Sequence, residues 1–129
     1  MNTWTSEELN KIGTAEELQI ASLRNDGTLR KWVIIWVVRL GNDLYVRSVN
    51  GRTSAWFRGM QTRHEGRIQA GGVEKDVSFV EDADAALSDQ IDAVYRTKYR
   101  RYAASIIDSI ISPQARAATI RLVPRSTGA

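Results

Sequence analysis

Hydrophobic and polar positions change their period several times along this chain, and each change marks an element. Residues 5–12 carry a helix start: Thr5 or Ser6 caps it, Glu8 completes a capping box, and Gly13 stops it. Leu18, Ile20 and Ser22 then alternate with Gln19, Ala21 and Leu23, the two-residue period of a strand. Asn25-Asp26-Gly27 is a tight-turn signal. From Trp32 to Val38 every residue is apolar, mostly β-branched or aromatic, which predicts a strand covered on both faces. In a chain this short, that means a closed or half-closed barrel sheathed by helices or by a second subunit.

Leu40-Gly41-Asn42-Asp43 turns the chain into a strand over 44–49, and Ser54 to Met60 reads as one helical turn capped by Thr53 or Ser54. GRIQAGG and VEKDVSFVED are two further strands joined through Gly71-Gly72. The acidic EDADAALSDQID leads into a long helix capped by Ser88 or Asp89, with Ile91, Tyr95, Tyr99 and Tyr102 on one side. Ile106, Ile107, Ile110 and Ile111 continue its apolar face until Ser112-Pro113 breaks it. Ala118 to Val123 forms the last strand. With no repeat or linker, residues 1–129 read as one domain. The expected class is α+β: a barrel of about six antiparallel strands, a short N-terminal helix, and a longer helix before the last strand.

Composition narrows the chemistry. There is no cysteine, which excludes disulfides, thiolate metal sites and a cysteine nucleophile. His64 is the one histidine, placed in the polar QTRHEGR as an exposed loop residue, so no metal site is expected. Ser48 and Ser54 lack a nucleophile-elbow context and a base, so a hydrolase has no support and no residue is assigned a catalytic role. The net charge of +3, from 18 basic and 15 acidic residues, admits an anionic ligand without demanding nucleic acid. The polar start MNTWTSEELNK argues against a signal peptide, and the longest apolar run is too short for a bilayer span. A cytoplasmic protein without a membrane role is the expectation.

The stretch LYVRSVNGRTSAWFRG, residues 44–59, concentrates the candidate chemistry. Arg47 leaves a strand whose two faces are mostly apolar, so its guanidinium needs a carboxylate or a bound anion. Phosphate suits arginine because the planar fork donates two bonds at once. Ser48, Thr53 and Ser54 add hydroxyls, Arg52 and Arg58 add charge, and Arg30 and Lys31 stand at the start of the neighbouring strand. Amides at a helix start near Ser54 would add their own preference for anions. Together these residues form a candidate phosphate cradle. Pairing of Arg47 with Asp76 or Glu74 stands beside that reading, as does a plain core role for Trp56-Phe57.

The segment YRTKYRRY interleaves tyrosines with cations in a way that superficially suits nucleic acid. Those tyrosines share the apolar stripe of Ile91 and Ile106, however, which assigns them to core packing. Nucleic acid is therefore not expected as a partner.

The order TLRKWVIIWVVRLGNDLYVRSVNGRTSAWFRG, then GRIQAGGVEKDVSFVED, then IDAVYRTKYRRYAA, resembles the split-barrel flavin- and deazaflavin-binding proteins. That group includes pyridoxamine-phosphate-oxidase-like proteins and deazaflavin-dependent nitroreductases. More narrowly, from Leu9 to Arg125 the chain resembles a bacterial family known as domain of unknown function 2255. The resemblance implies a split barrel, a homodimer, and FMN or a deazaflavin held in a groove between subunits for redox chemistry. In the deazaflavin branch, a basic segment before the long central strand and a serine ending the next strand line the cofactor phosphate. Arg30, Lys31 and Ser48 match those positions, and Ala55-Trp56-Phe57 matches the helix turn that follows. Arg52 and Ser54 would support the phosphate and Trp56 would pack near the ring. Arg47 has no counterpart in that pattern, and Ser54-Ala55-Trp56 replaces its Pro-Ala-Trp. Split-barrel members without flavin exist, so a non-catalytic binding or interaction protein on the same barrel is the alternative.

Overall fold

The structure, a computed structural model, describes residues 3–125. Thr5 opens α1 (Ser6–Thr14) with the expected capping box, its hydroxyl accepting from Glu8 N while the Glu8 carboxylate accepts from Thr5 N. Seven strands follow the alternations in the sequence: β1 (Leu18–Ser22), β2 (Val33–Ile35), β3 (Val38–Leu40), β4 (Asp43–Arg47), β5 (Glu65–Ala70), β6 (Val73–Glu81) and β7 (Thr119–Pro124). They form one antiparallel sheet in the order β2-β1-β5-β6-β7-β4-β3. Gly71 and Gly72 turn β5 into β6, both with positive φ (57° and 84°). Among the described residues, no helix is long and apolar enough to cross a membrane.

The sheet order explains why seven strands replace the expected six. β2 and β3 lie at opposite ends of the sheet yet are separated only by Trp36 and Val37. One run of chain thus closes the barrel by pairing first with β1 and then with β4. It cannot serve both ladders with the same residues, so the apolar run Trp32–Val38 breaks in the middle. Val37 leaves the ladder with both backbone groups satisfied from the helical layer. Its N–H donates to the Tyr99 hydroxyl (3.3 Å), and its carbonyl accepts from that hydroxyl (3.2 Å) and from Lys98 Nζ (2.5 Å). Coverage on both faces does not extend to β2 either, because Ile34 is 60% exposed.

The helices also depart from the expected single rod. α2 (Ala55–Arg63) runs past the expected single turn and follows a 3₁₀ turn at Gly51–Thr53. α3 (Ala85–Lys98) begins at Asp84, whose carboxylate accepts from Leu87 N, rather than at Ser88 or Asp89. It ends at Lys98, and the chain turns before α4 (Ala104–Ile110) and α5 (Pro113–Arg116). A straight continuation would carry Ile110 about 18 Å beyond Lys98, at about 1.5 Å per residue. The turn folds Ile110 back against β4 instead. Ser112-Pro113 does end the apolar stretch, with Ser112 capping α5 and Pro113 at its first position.

Two apolar clusters result. Leu18, Ile20, Leu44, Val46, Phe57, Ile68, Val77 and Ile120 fill the barrel interior, closed at one end by Trp4, whose indole N–H donates to Leu122 O (3.0 Å). Val38 and Tyr45, on the outer face, pack with Ile91, Tyr95, Tyr99 and Ile110. β4 is therefore buried on both sides, and Arg47 points from it into the helical layer at 1% exposure.

Arg47 is a structural arginine, which corrects its expected place in a phosphate cradle. Its Nη1 pairs with Asp92 Oδ1 of α3 and also donates to Ile110 O (3.2 Å) at the end of α4. Nη2 donates to Ser88 O (3.2 Å), Nε to Thr119 Oγ1 (2.9 Å), and the guanidinium lies 5.5 Å from the centre of the Tyr95 ring. Asp76 and Glu74 are not its partners; both are engaged by Arg67 (2.8 and 2.9 Å). Removing one member of a buried, hydrogen-bonded pair leaves an uncompensated charge, at a cost of about 3–5 kcal/mol. Arg47→Met is expected to lose about that much in urea unfolding, with Arg47→Met/Asp92→Leu recovering part of the loss. A single variant as stable as the parent would remove the pair from its structural role.

Candidate functional site

Two cavities meet at Trp56. The first, of about 280 Å³, has three cations at its rim, Arg24, Arg30 and Lys31, over a floor that includes Ile20, Met60 and Phe79. No carboxylate among the described residues lines it. The second, of about 350 Å³, is mainly apolar, with Val33, Ile35, Trp36, Val49 and Ile106 among its walls and Ser48, Asn50 and Ser109 supplying polar atoms. Val33 and Trp56 line both.

Local structure explains how the cationic cavity forms. The Asn25–Gly27 turn, with Gly27 at φ 88°, returns the chain so that Arg30 N donates to Ser22 O (2.8 Å). Arg24 is spent within this hairpin, donating to Thr28 Oγ1 (3.2 Å) and Leu29 O (2.8 Å). Arg30 instead runs across α2, and its Nε is buried without a hydrogen bond. A buried, unpaired donor on a charged group is costly, and an acceptor bound at Arg30 would relieve that cost. α2 adds to the same preference. Ser54 occupies its N-cap position, but the hydroxyl makes no cap bond and meets Ser48 Oγ at 2.7 Å. The first-turn amides of α2 thus lack the expected side-chain cap beside Ala55 and Trp56, both of which line the cationic cavity.

The candidate residues accordingly divide. Arg30, Lys31 and Trp56 gather at the cationic cavity, with Ser48 and Trp56 at the apolar one. Ser54 joins them through Ser48. Arg47 borders the apolar cavity, but its guanidinium is consumed inside the protein. Arg52 turns away to Glu81 (2.8 Å) and stacks on Phe57 at 5.2 Å. His64 lies at the end of α2 in the left-handed region (φ 57°), with Nε2 3.0 Å from Glu81 Oε2 and outside both cavities. Burial alone would raise the Glu81 carboxyl, but hydrogen bonds from His64, Arg52 and Gln61 outweigh it and hold the group below its usual range.

The family of uncharacterized proteins conserved in bacteria (DUF2255) matches residues 8–122. The chain is a DUF2255 protein. No curated protein matches its sequence. Among solved structures it is similar to a candidate pyridoxamine 5′-phosphate oxidase from Listeria innocua (TM-score 0.66, 13% identity, covering 93% of this chain and 92% of that one). It is similar also to an F420 reductase (0.56, 14%, 93% of each chain). A FAD-binding protein from Mesorhizobium loti is a third (0.58, 17%, 96% of this chain and 92% of that one). At these identities the likeness is one of fold: the split barrel.

Sequence reasoning missed three parts of the site region in this DUF2255 protein. Asp92 was legible as an anomaly complementary to Arg47, a carboxylate on the stripe Ser88, Asp92, Tyr95, Tyr99 that faces the barrel. Gly59, buried beneath Arg30, carried no such signal. Lys98 is the third, with Nζ on Val37 O and 5.1 Å from the centre of the Tyr99 ring, next to the Trp36–Tyr99 stack (3.8 Å) that backs the apolar cavity. Burial lowers the Lys98 ammonium from 10.5 to about 8 and raises the Tyr99 hydroxyl above the usual phenol range. A folded-state value below the unfolded one means that the charged amine opposes folding below pH 8. That opposition fades as pH rises from about 8 towards 10.5. The urea midpoint of the parent should therefore rise between pH 7.5 and 9, and Lys98→Met should flatten the rise; parallel profiles for the two proteins would contradict the assignment.

Proposed function

We propose that this protein binds FMN or a deazaflavin and acts as an oxidoreductase, with the cofactor phosphate in the cationic cavity and the ring system in the apolar one. One observation carries the reading: the buried, unpaired Nε of Arg30 at a cavity that no carboxylate of the described residues lines, divided by Trp56 and Val33 from an apolar cavity. The donor set fits a phosphate. Arg30 and Lys31 would hold it, with the uncapped amides of α2 adding their dipole, while Ser48, its hydroxyl on Ser54, lies at the apolar cavity and would face the ring system. Trp56 would pack beside the ring. When bound, such a cofactor supplies the hydride chemistry itself, which agrees with a chain lacking cysteine and keeping its one histidine away from the cavities. The likeness to an F420 reductase and a FAD-binding protein supports the class of ligand.

Titration with FMN and then with F420, followed by absorbance and tryptophan quenching, tests the reading. Saturable micromolar binding is expected, weakened about tenfold or more in Arg30→Ala, equivalent to about 1.4 kcal/mol. Failure of both cofactors to bind the folded protein would favour the alternative, a non-catalytic binding or interaction protein on the same barrel.

The working unit proposed is a homodimer. The large hydrophobic residues Ile34 (60%), Val49 (45%) and Ile106 (47%) are exposed, and all three line the apolar cavity. Convergence of exposed apolar side chains on one groove is the mark of an interface, and a second copy would bury them and complete the walls around the ligand. Ile34→Lys should sediment as a monomer with its fold intact, because Ile34 packs little within its own chain; a variant that stays dimeric would move the interface elsewhere.

A further inference from the structure

Gly59 lies inside α2, where glycine is among the least favourable residues, and it is not among the residues with positive φ. Backbone conformation therefore does not require it. A Cβ at this position would meet Arg30 alone among its nearest neighbours: Nε at 2.9 Å, Cδ at 3.0 Å and Cζ at 3.4 Å. The contrast with other glycines is direct. A Cβ at Gly66 or Gly71 would strike backbone, Ala21 O or Lys11 O, each at 2.2 Å, so those two are required by the fold. At Gly59 the obstacle is the far part of a flexible side chain whose Nε is the unpaired donor of the cationic cavity.

From this geometry we infer that Gly59 is a positioning residue for ligand recognition: its missing side chain is the channel through which Arg30 crosses α2 and presents its guanidinium to a phosphate. The inference rests on the phosphate assignment of the preceding subsection and adds a specific device to it. Restoring ordinary contact of 3.4 Å from 2.9 Å would move Nε by 3.4 − 2.9 = 0.5 Å. Preorganised recognition tolerates displacements of only about that size. The helix itself would gain from alanine at this position. Stability and binding should thus respond in opposite directions, which a purely structural role for Gly59 does not produce.

The experiment compares FMN with riboflavin, which differs by lacking the phosphate, on four proteins: the parent, Gly59→Ala, Arg30→Ala, and the double variant. Gly59→Ala is expected to keep or raise Tm, to lose about tenfold in FMN affinity, and to bind riboflavin as the parent does. In the Arg30→Ala background it should change neither affinity, since the guanidinium it displaces is gone. Equal losses for FMN and riboflavin, or an unchanged FMN affinity, would overturn the inference while leaving the flavin reading intact. A Gly59→Ala protein that fails to fold even with Arg30→Ala would make Gly59 a folding requirement and overturn it as well. Parent protein that binds both flavins equally overturns the phosphate assignment and this inference together; parent that binds neither overturns FMN as the ligand and this inference with it, and F420 binding then decides the cofactor reading on its own.

Discussion

The buried pair of Arg47 and Asp92 holds the helical layer to the barrel, and the site's architecture depends on it. Arg47 starts on β4, which is packed on both faces, and its bonds reach α3, the end of α4 and β7. Asp92 in turn accepts from Arg116 of α5 (2.8 Å). Five elements thus meet at one guanidinium–carboxylate contact. Hydrophobic packing alone would let a helix slide along the outer face of the sheet, since apolar contact has little direction. Directional, charge-assisted bonds pin it. Because Ile110 and Ile106 of α4 form one wall of the apolar cavity, that pinning also sets the width of the groove.

A second constraint comes from closing a short barrel. Pairing the two halves of one run of chain to opposite ends of the sheet forces a break at Trp36–Val37, and the break must be satisfied from outside the ladder. Tyr99 and Lys98 do this, which explains an ammonium kept half-buried against a carbonyl and an aromatic ring. The same break turns Trp36 towards Tyr99 and Tyr102, so the back of the apolar cavity is an aromatic stack. Structural necessity and cavity formation share these residues.

Charge is handled in two ways within a short distance. Arg47 is fully neutralised inside the protein, whereas Arg30 is held with its Nε buried and unpaired. Arg52 and Arg24 are tied to protein acceptors. The difference between a structural cation and a ligand-binding one lies in which acceptors the fold brings near, not in the residue type. That contrast is why Arg30, and not Arg47, stands in the proposed site.

The periodicity of the sequence by itself determined the α+β class, the capping box of α1, the glycine turns, the apolar character of both faces of β4, and the membership of Tyr95 and Tyr99 in the core. These are local consequences of spacing and backbone preference. Charge and resemblance also brought Arg30, Lys31, Arg47, Ser48, Arg52, Ser54 and Trp56 forward as a group, of which the structure turns Arg47 and Arg52 to acceptors inside the protein. Tertiary structure alone decided the remainder. Nothing local says that Trp32–Val38 serves two ladders, that the long apolar helix must fold back at Tyr99, or that the carboxylate for Arg47 is Asp92 rather than Asp76. Each depends on pairing between residues far apart in the chain, where the partner is chosen by the closed geometry of the barrel and not by neighbouring sequence.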